Sequence, residues 1–418
     1  MYRNIIEDLV AWQEGTGRQM LYIKGAKGVG KTWTVRDFAT AFFPAQCYVD
    51  VSEGFTPDAE ALDALLASRF TEQELTTGLI IFDEVQTVPR IAEFFYEYAK
   101  MHREYRICLI ASTMLITEFE YSHSDCFKLL RMRPMSFEEF LIANKAHSFI
   151  DAIRKHKDKV PTNLESGAIL SLLRDYLLVG GMPGVVSAYV KTKDLTKIRP
   201  LQEELIASYT DLMKEQFPHA MYQRTKRVWS SIPKQLSKDN KKFMYKLVED
   251  NARSREYAEA TQNLCDLGLA RKMPRVKGST IPLENHVDYK SFELFFLDHG
   301  LLRAVAGLPL HDNVRLEDIL TESGGAIAEQ YLFEELSSSI GVLYYWISGA
   351  TARVPFVYEG KDSAVPVDIR LVPNHKAQNI KVFKEKNPET HMSLRITLDK
   401  LSLEEEVMSI PIYGLWNI

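Results

Sequence analysis

The run Gly25-Ala26-Lys27-Gly28-Val29-Gly30-Lys31-Thr32 constrains this chain more than any other stretch. Met20–Lys24 before it reads as a short strand, and Val35, Phe38, Ala39 and Phe42 after it follow the i, i+3, i+4, i+7 spacing of one helix face. Strand, glycine loop and helix are the context in which a G-x-x-x-x-G-K-[ST] match reads as a phosphate-binding loop. Glycines let backbone N–H groups converge on a β-phosphate, and the helix N-terminus adds partial positive charge. On this reading Gly25, Ala26, Lys27, Gly28, Val29, Gly30, Lys31, Thr32 and Trp33 cradle ATP or ADP. Lys31 reaches the β- and γ-phosphates and serves catalysis there, and the Thr32 hydroxyl ligates Mg²⁺. The competing reading is a glycine-rich turn.

A nucleotide hydrolase of this kind needs a carboxylate strand, and Leu79-Ile80-Ile81-Phe82-Asp83-Glu84 supplies one. Four consecutive apolar residues suit a strand buried on both faces of a parallel sheet. Asp83 at its end is expected to hold Mg²⁺, and Glu84 to orient and deprotonate the attacking water. The alternative is an acidic pair that caps a following helix. Two further apolar runs, Cys47–Val51 and Ile107–Ala111, fit the same sheet. The second leads into Ser112, the expected sensor of the γ-phosphate. Arg131 or Arg133 would be the nearest arginine finger.

Composition sets the outer limits. With 418 residues, 46% hydrophobic and 26% charged, the chain is globular and long enough for two to four domains. A net charge of -5 excludes nucleic-acid binding through overall basicity. That total hides a basic module, because residues 221–277 hold 14 Lys and Arg against 6 Asp and Glu, a net +8, and the other 361 residues carry -13. Within it, Ser254 as N-cap, an apolar stripe at Tyr257, Ala260, Leu264 and Leu267, and a stop at Gly268 predict a helix. The strand Leu269–Met273 and a basic hairpin with Pro274 and Gly278 follow. Lys238, Lys241, Lys242, Arg253, Arg255, Arg271 and Lys272 are the expected phosphate contacts, which makes DNA a candidate partner. A solvated face, or a dock for the acidic remainder, would use the same charges. No apolar run approaches the roughly 18 residues of a membrane span. Met1–Asp8 puts acids where a signal peptide needs an apolar core, so a cytoplasmic location is expected. The scattered Cys47, Cys108, Cys126 and Cys265 read as reduced thiols.

Taken in order, several motifs resemble the prokaryotic AAA+-like ATPases that carry a C-terminal restriction-endonuclease-like domain of unknown function. They are the glycine loop, Phe82-Asp83-Glu84-Val85-Gln86 with Pro89, Arg131-Met132-Arg133-Pro134-Met135-Ser136-Phe137-Glu138-Glu139-Phe140, and Gly180-Gly181-Met182-Pro183. Phe296-Leu297-Asp298-His299-Gly300-Leu301-Leu302 and Gly325-Ala326-Ile327-Ala328-Glu329 leading to Leu336 complete the set. The resemblance implies an α/β chain: a P-loop NTPase core with an AAA+-like parallel sheet over 1–140, a helical segment over 141–220, a winged-helix-like module over 221–285 and a nuclease-like α/β domain over 286–418. The family often has Gly-Arg shortly before the Arg-Pro-Met-Ser run, where this chain has Asp125-Cys126. Aligned on the resemblance, the nuclease's first Asp falls at Pro355, and its Glu and Lys fall at Asp368 and Arg370; Glu329 is kept. Proline offers no ligand and arginine stays protonated, so cleavage of DNA is not expected. The expected function is a Mg-dependent ATPase acting as a nucleotide-driven switch, with DNA as a candidate target. The alternative is an ATP-dependent DNA- or protein-binding module with little or no turnover.

Overall fold

Five short, mostly apolar runs form the first sheet: Met20–Lys24 (β1), Gln46–Asp50 (β2), Leu79–Asp83 (β3), Arg106–Ala111 (β4) and Phe127–Arg131 (β5). They pair in parallel in the order β2-β3-β4-β1-β5. Every residue of β1 and β3 is buried, as a parallel strand covered on both faces requires. The helix Lys31–Phe42 buries Val35, Phe38 and Ala39. Phe42, expected on the same stripe, is 43% exposed because it ends the helix, its ring resting on Phe38 at the outer margin.

The computed structural model describes residues 1–15, 19–155, 163–349, 352–371, 378–399, 401–404 and 406–418. The first unit comprises Met1–Pro134 with Cys265–Leu269; the second comprises Met135–Leu264 and Ala270–Ile418. The first stretch stops short of residue 140 because the helix Phe137–Ala143 packs in the second unit. There the Phe137 N–H donates to Glu335 Oε1 (2.8 Å), and the Tyr176 hydroxyl donates to the Met135 carbonyl (2.5 Å). Cys47 and Cys108 are buried, and all four cysteines are free thiols. Among the described residues no helix is long and apolar enough to cross a membrane.

The second unit combines helices with an eight-stranded mixed sheet. Its strands are Ala270–Val276 (β6), Val287–Phe296 (β7), Tyr344–Ser348 (β8), Ala352–Glu359 (β9), Ala364–Arg370 (β10), Ser393–Thr397 (β11), Ser402–Glu404 (β12) and Val407–Pro411 (β13), in the order β12-β13-β11-β10-β9-β8-β6-β7. β6 and β7 form one antiparallel hairpin running through the expected border at 285, so the hairpin and the C-terminal strands share a sheet. The helix Gln378–Lys386 covers one face, its Ile380 and Phe383 packing with Ala352, Val354 and Ala364. The helical stretch Leu316–Ser339, broken at Glu322–Gly325, lies against the other, where Phe333 of its second helix stacks on Phe295.

This unit buries charge. Asp298 caps its helix at the Leu301 N–H and accepts from the Gly181 N–H, joining two of the motifs quoted above. His299, Asp298 and Glu334 lie close enough to suggest a metal site. Both ring nitrogens of His299 are already engaged, with Glu334 Oε2 (2.7 Å) and the Tyr176 carbonyl (3.0 Å), so neither is open to a cation. Burial alone would lower its pKa, but Glu334 and the Tyr176 carbonyl raise it to about 9. Burial raises Glu335 to about 8, with Glu334 adding to the effect.

Both shifts give stability that is lost on the alkaline side. The native state keeps a proton on His299 that the unfolded chain releases near its ordinary pKa of 6.5. Its contribution is therefore full below that value and disappears as pH rises through about 9. Glu335 acts the same way over the window from 4.5 to about 8. Urea unfolding should show the second unit weaker at about pH 9.5 than at about pH 6 by on the order of 3 kcal/mol from His299 alone. The His299→Gln variant should show a flatter profile; equal slopes in both proteins would refute the assignment.

Candidate nucleotide site

The loop after β1 takes its shape from Gly28 and Gly30, whose φ values of 84° and 93° suit only glycine. Gly30 caps the helix that opens at Lys31, so the unpaired N–H groups of the first turn face the loop. Lys31 is 5% exposed, and its Nζ donates to the Gly25 carbonyl (2.9 Å), the Ala26 carbonyl (3.0 Å) and Ser112 Oγ (3.2 Å). Burial lowers its pKa to about 8 against the opposing pull of Glu84 and Asp83.

Across the sheet, the Thr32 hydroxyl donates to Asp83 Oδ2 (2.6 Å), which also accepts from the Tyr48 hydroxyl (3.1 Å). Asp83 is 2% exposed; burial raises its pKa, while the hydrogen bond from Thr32 opposes that rise. A hydroxyl and a carboxylate in contact are the hard oxygen pair that Mg²⁺ takes from a protein when phosphates and water complete its shell, so these residues fit the ion. Glu84 sits in the left-handed region at φ 55°. Its Oε1 accepts from Ser112 Oγ (2.9 Å) and its Oε2 from Gln86 Nε2 (2.5 Å), while Gln86 Oε1 accepts from the Ser112 N–H (2.8 Å).

The structure therefore brings Lys31, Thr32, Asp83, Glu84 and Ser112 together. Ala26 and Val29 are buried in the loop, Lys27 and Gly28 are exposed, and Trp33 projects outward from the first helical turn, 52% exposed. Arg131 is exposed at the end of β5. Arg133 offers its carbonyl to Arg3, whose guanidinium also holds the Val29 carbonyl (2.6 Å). Tyr48, Gln86 and Arg3 carry no site role on the sequence alone. Gln86 lay inside a quoted motif, but nothing in the sequence marked the other two.

Residues 17–141 match the AAA domain family. Residues 170–312 match a second family, described as Domain of unknown function (DUF8612). No curated protein matches the chain. Among solved structures it is similar to the Thermotoga maritima RuvB Holliday junction branch migration motor, at 12% identity over 66% of this chain and 90% of that one, with a TM-score of 0.33. It is also similar to a replication initiator DnaA bound to AMPPCP and single-stranded DNA, at 13% identity over 62% of this chain and 76% of that one, with a TM-score of 0.31. A third is C. elegans PCH-2, at 13% identity over 46% and 59%, with a TM-score of 0.30. Likenesses this distant say nothing of activity or partners.

The first unit holds one segment from far along the chain. Cys265–Leu269 packs with it, although the residues on either side belong to the second unit. The Thr113 hydroxyl and the Met114 N–H both donate to the Asp266 carbonyl at 2.7 Å. Gly268 has φ 74°, and a Cβ there would lie 2.8 Å from Met114 Cγ and 3.2 Å from the Ala26 Cβ. The predicted stop at Gly268 is thus also a docking point beside the phosphate loop.

In the second unit the nuclease-like residues do not converge. Residues Ala352 and Val354 face the helix Gln378–Lys386, so Arg353 between them points to the opposite face, where it grips Glu293 (2.7 Å) and Glu329 (2.9 Å). Asp368, four residues on from Ala364, lies on the Gln378–Lys386 side and pairs with Arg370 (2.7 Å) and Arg395 (3.4 Å). Glu329 and Asp368 thus stand on opposite sides of the sheet. Two expected phosphate contacts are also otherwise occupied. Lys241 is buried against Glu329 (2.9 Å), and Arg271 donates to the Ser337 hydroxyl and lies over the Phe333 ring. Lys238, Arg253 and Arg255 are exposed, Lys242 is half-buried, and half-buried Lys272 donates to Gln262.

Replacing Gly268 by Ala should destabilise the first unit by about 2–4 kcal/mol, from the left-handed backbone and the contact with Met114. Guanidinium unfolding of the variant within about 0.5 kcal/mol of wild type would show that the segment does not dock as described.

Proposed function

We propose that this chain is a Mg-dependent ATPase whose nucleotide state switches the segment 265–269, with DNA as the target. The observation that carries the reading is the hydrogen-bonded chain Lys31–Ser112–Glu84 together with the Thr32–Asp83 pair. Thr32 and Asp83 would hold Mg²⁺, which when bound neutralises charge on the β- and γ-phosphates. Lys31 exchanges its carbonyl partners for phosphate oxygens. Glu84, not in contact with Thr32, accepts a proton from the attacking water. Ser112 precedes Thr113 and Met114, which hold the Asp266 carbonyl, so rearrangement at Ser112 reaches the end of the helix Ser254–Asp266 through two bonds.

That helix, the preceding helix His219–Leu236 and the β6–β7 hairpin supply the winged-helix-like module. Lys238, Lys242, Arg253, Arg255 and Lys272 supply its charge. Binding would be insensitive to sequence, since phosphate contacts position a protein without reading bases. No nuclease step is included, because Glu329 is taken by Arg353 and Lys241 and Asp368 faces the other way. The second reading, binding with little turnover, draws on the fact that both oxygens of Glu84 already hold donors.

Lys31→Ala should abolish ATP turnover, and Glu84→Gln should slow it about 100-fold or more while ATP still binds; removal of Mg²⁺ by EDTA should stop it. Turnover unchanged in both variants would end the ATPase reading. For the partner, fluorescence anisotropy of labelled duplex DNA should show affinity that follows ATP occupancy and falls steeply with salt. An Arg253→Glu/Arg255→Glu double variant should lose that binding; if it binds as wild type does, these residues are not the surface. DNA affinity that tracks ATP without phosphate release would favour the second reading. Nicking of a plasmid in Mg²⁺ or Mn²⁺ would contradict the treatment of the C-terminal sheet.

A further inference from the structure

We infer that Gln86 is the positioning residue that keeps Glu84 aimed for proton transfer once Ser112 releases it, an inference that rests on the ATPase reading above. Counting protons leads there. The Ser112 hydroxyl carries one proton. In this structure it donates that proton to Glu84 Oε1 (2.9 Å) while accepting from Lys31 Nζ (3.2 Å). A γ-phosphate oxygen offers only acceptor lone pairs, so a Ser112 that binds phosphate must turn the same proton away from Glu84. Oε1 then stands free to receive a proton from water, as the water oxygen bonds to the γ-phosphorus and the bond to the bridging β-phosphate oxygen breaks.

Freedom of one oxygen is useful only if the carboxylate does not swing. Gln86 prevents that, because neither of its hydrogen bonds competes with phosphate. Its amide NH₂ donates to Glu84 Oε2 (2.5 Å), and its amide oxygen accepts from the Ser112 main-chain N–H (2.8 Å). The second bond ties Glu84 to the end of β4, the strand between the loop lysine and the carboxylates. The left-handed backbone at Glu84 also needs support from its surroundings, and Gln86 in the turn Val85–Thr87 lies two residues away.

The experiment uses the full chain and four variants: Gln86→Met, which keeps length but not the amide; Gln86→Glu, which keeps an acceptor for the Ser112 N–H but cannot donate as a carboxylate; Glu84→Gln; and the Glu84→Gln/Gln86→Met pair. Single-turnover phosphate release and the affinity for a non-hydrolysable ATP analogue are measured for each. Both Gln86 variants should lower the rate by about 10- to 100-fold with analogue affinity within about twofold of wild type, which also shows that they fold. The pair should be no slower than Glu84→Gln alone to within about twofold, because the amide acts only through that carboxylate.

A rate that falls additively in the pair, a loss of analogue affinity with the rate unchanged, or a Gln86→Glu variant as fast as wild type would each overturn the role while leaving the ATPase reading intact. Wild-type protein that binds the analogue but releases no phosphate would overturn both together.

Discussion

The single hydroxyl of Ser112 joins the two halves of the nucleotide site, and the strand order makes it the joining atom. β4 lies between β1, which launches the phosphate loop, and β3, which ends in Asp83 and Glu84. Neighbouring strands stand about 4.8 Å apart, so β1 and β3 are separated by about 10 Å. That gap exceeds any direct contact between main-chain neighbours, but a lysine reaching from one side and a glutamate from the other close it over the end of the middle strand. Thr32 spans it in the same way to Asp83 from the start of its helix. Parallel pairing puts the carboxyl ends of all five strands at one rim. The site therefore follows from the order of strands as much as from the residues that line it.

The second unit shows the opposite use of carboxylates. Buried Glu293 and Lys241 and partly buried Glu329 and Arg353 form one cluster of two carboxylates and two cations. Arg353 and Lys241 hold Glu329 well below the ordinary carboxylate range despite its burial, to about 2. Taking these groups out of water is unfavourable, and their mutual attraction offsets that penalty only while all four remain; removing one leaves an uncompensated buried charge, at about 3–5 kcal/mol. A guanidinium that engages both carboxylates also takes the lone pairs a divalent cation would need. The bonding of the cluster is that of a structural ion network.

Much of the first unit was legible in the sequence because its signals are local. Continuous apolar runs marked β1, β3 and β4, and the loop's glycines, lysine and threonine marked the phosphate site. What escaped was set by contacts distant in sequence. Tyr48 reaches Asp83 only because β2 pairs with β3, and Cys265–Leu269 joins the first unit from about 150 residues beyond Thr113. Gly268 was read correctly as a helix stop, but a stop signal says nothing of what packs against it. The charge count over 221–277 failed in a related way. It treats Lys241 and Arg271 as equal to Arg253, whereas burial assigns the first two to partners inside the unit.

That loss changes what the basic stretch can do. Arg227 is paired with Glu249 and Lys277 with Asp288, whereas Arg224, Lys226, Lys234 and Lys246 are exposed, so the five predicted contacts Lys238, Lys242, Arg253, Arg255 and Lys272 are a subset of the cations this stretch can offer a phosphate backbone. Five phosphate contacts on duplex DNA give a salt slope of about -4.5, the regime of non-specific binding. Charge on that scale would bring the chain to DNA without deciding when it stays. If DNA is the partner, the decision falls to a second, adjustable term, and the hydrogen bonds from Thr113 and Met114 to Asp266 place one at the end of the helix that carries Arg255.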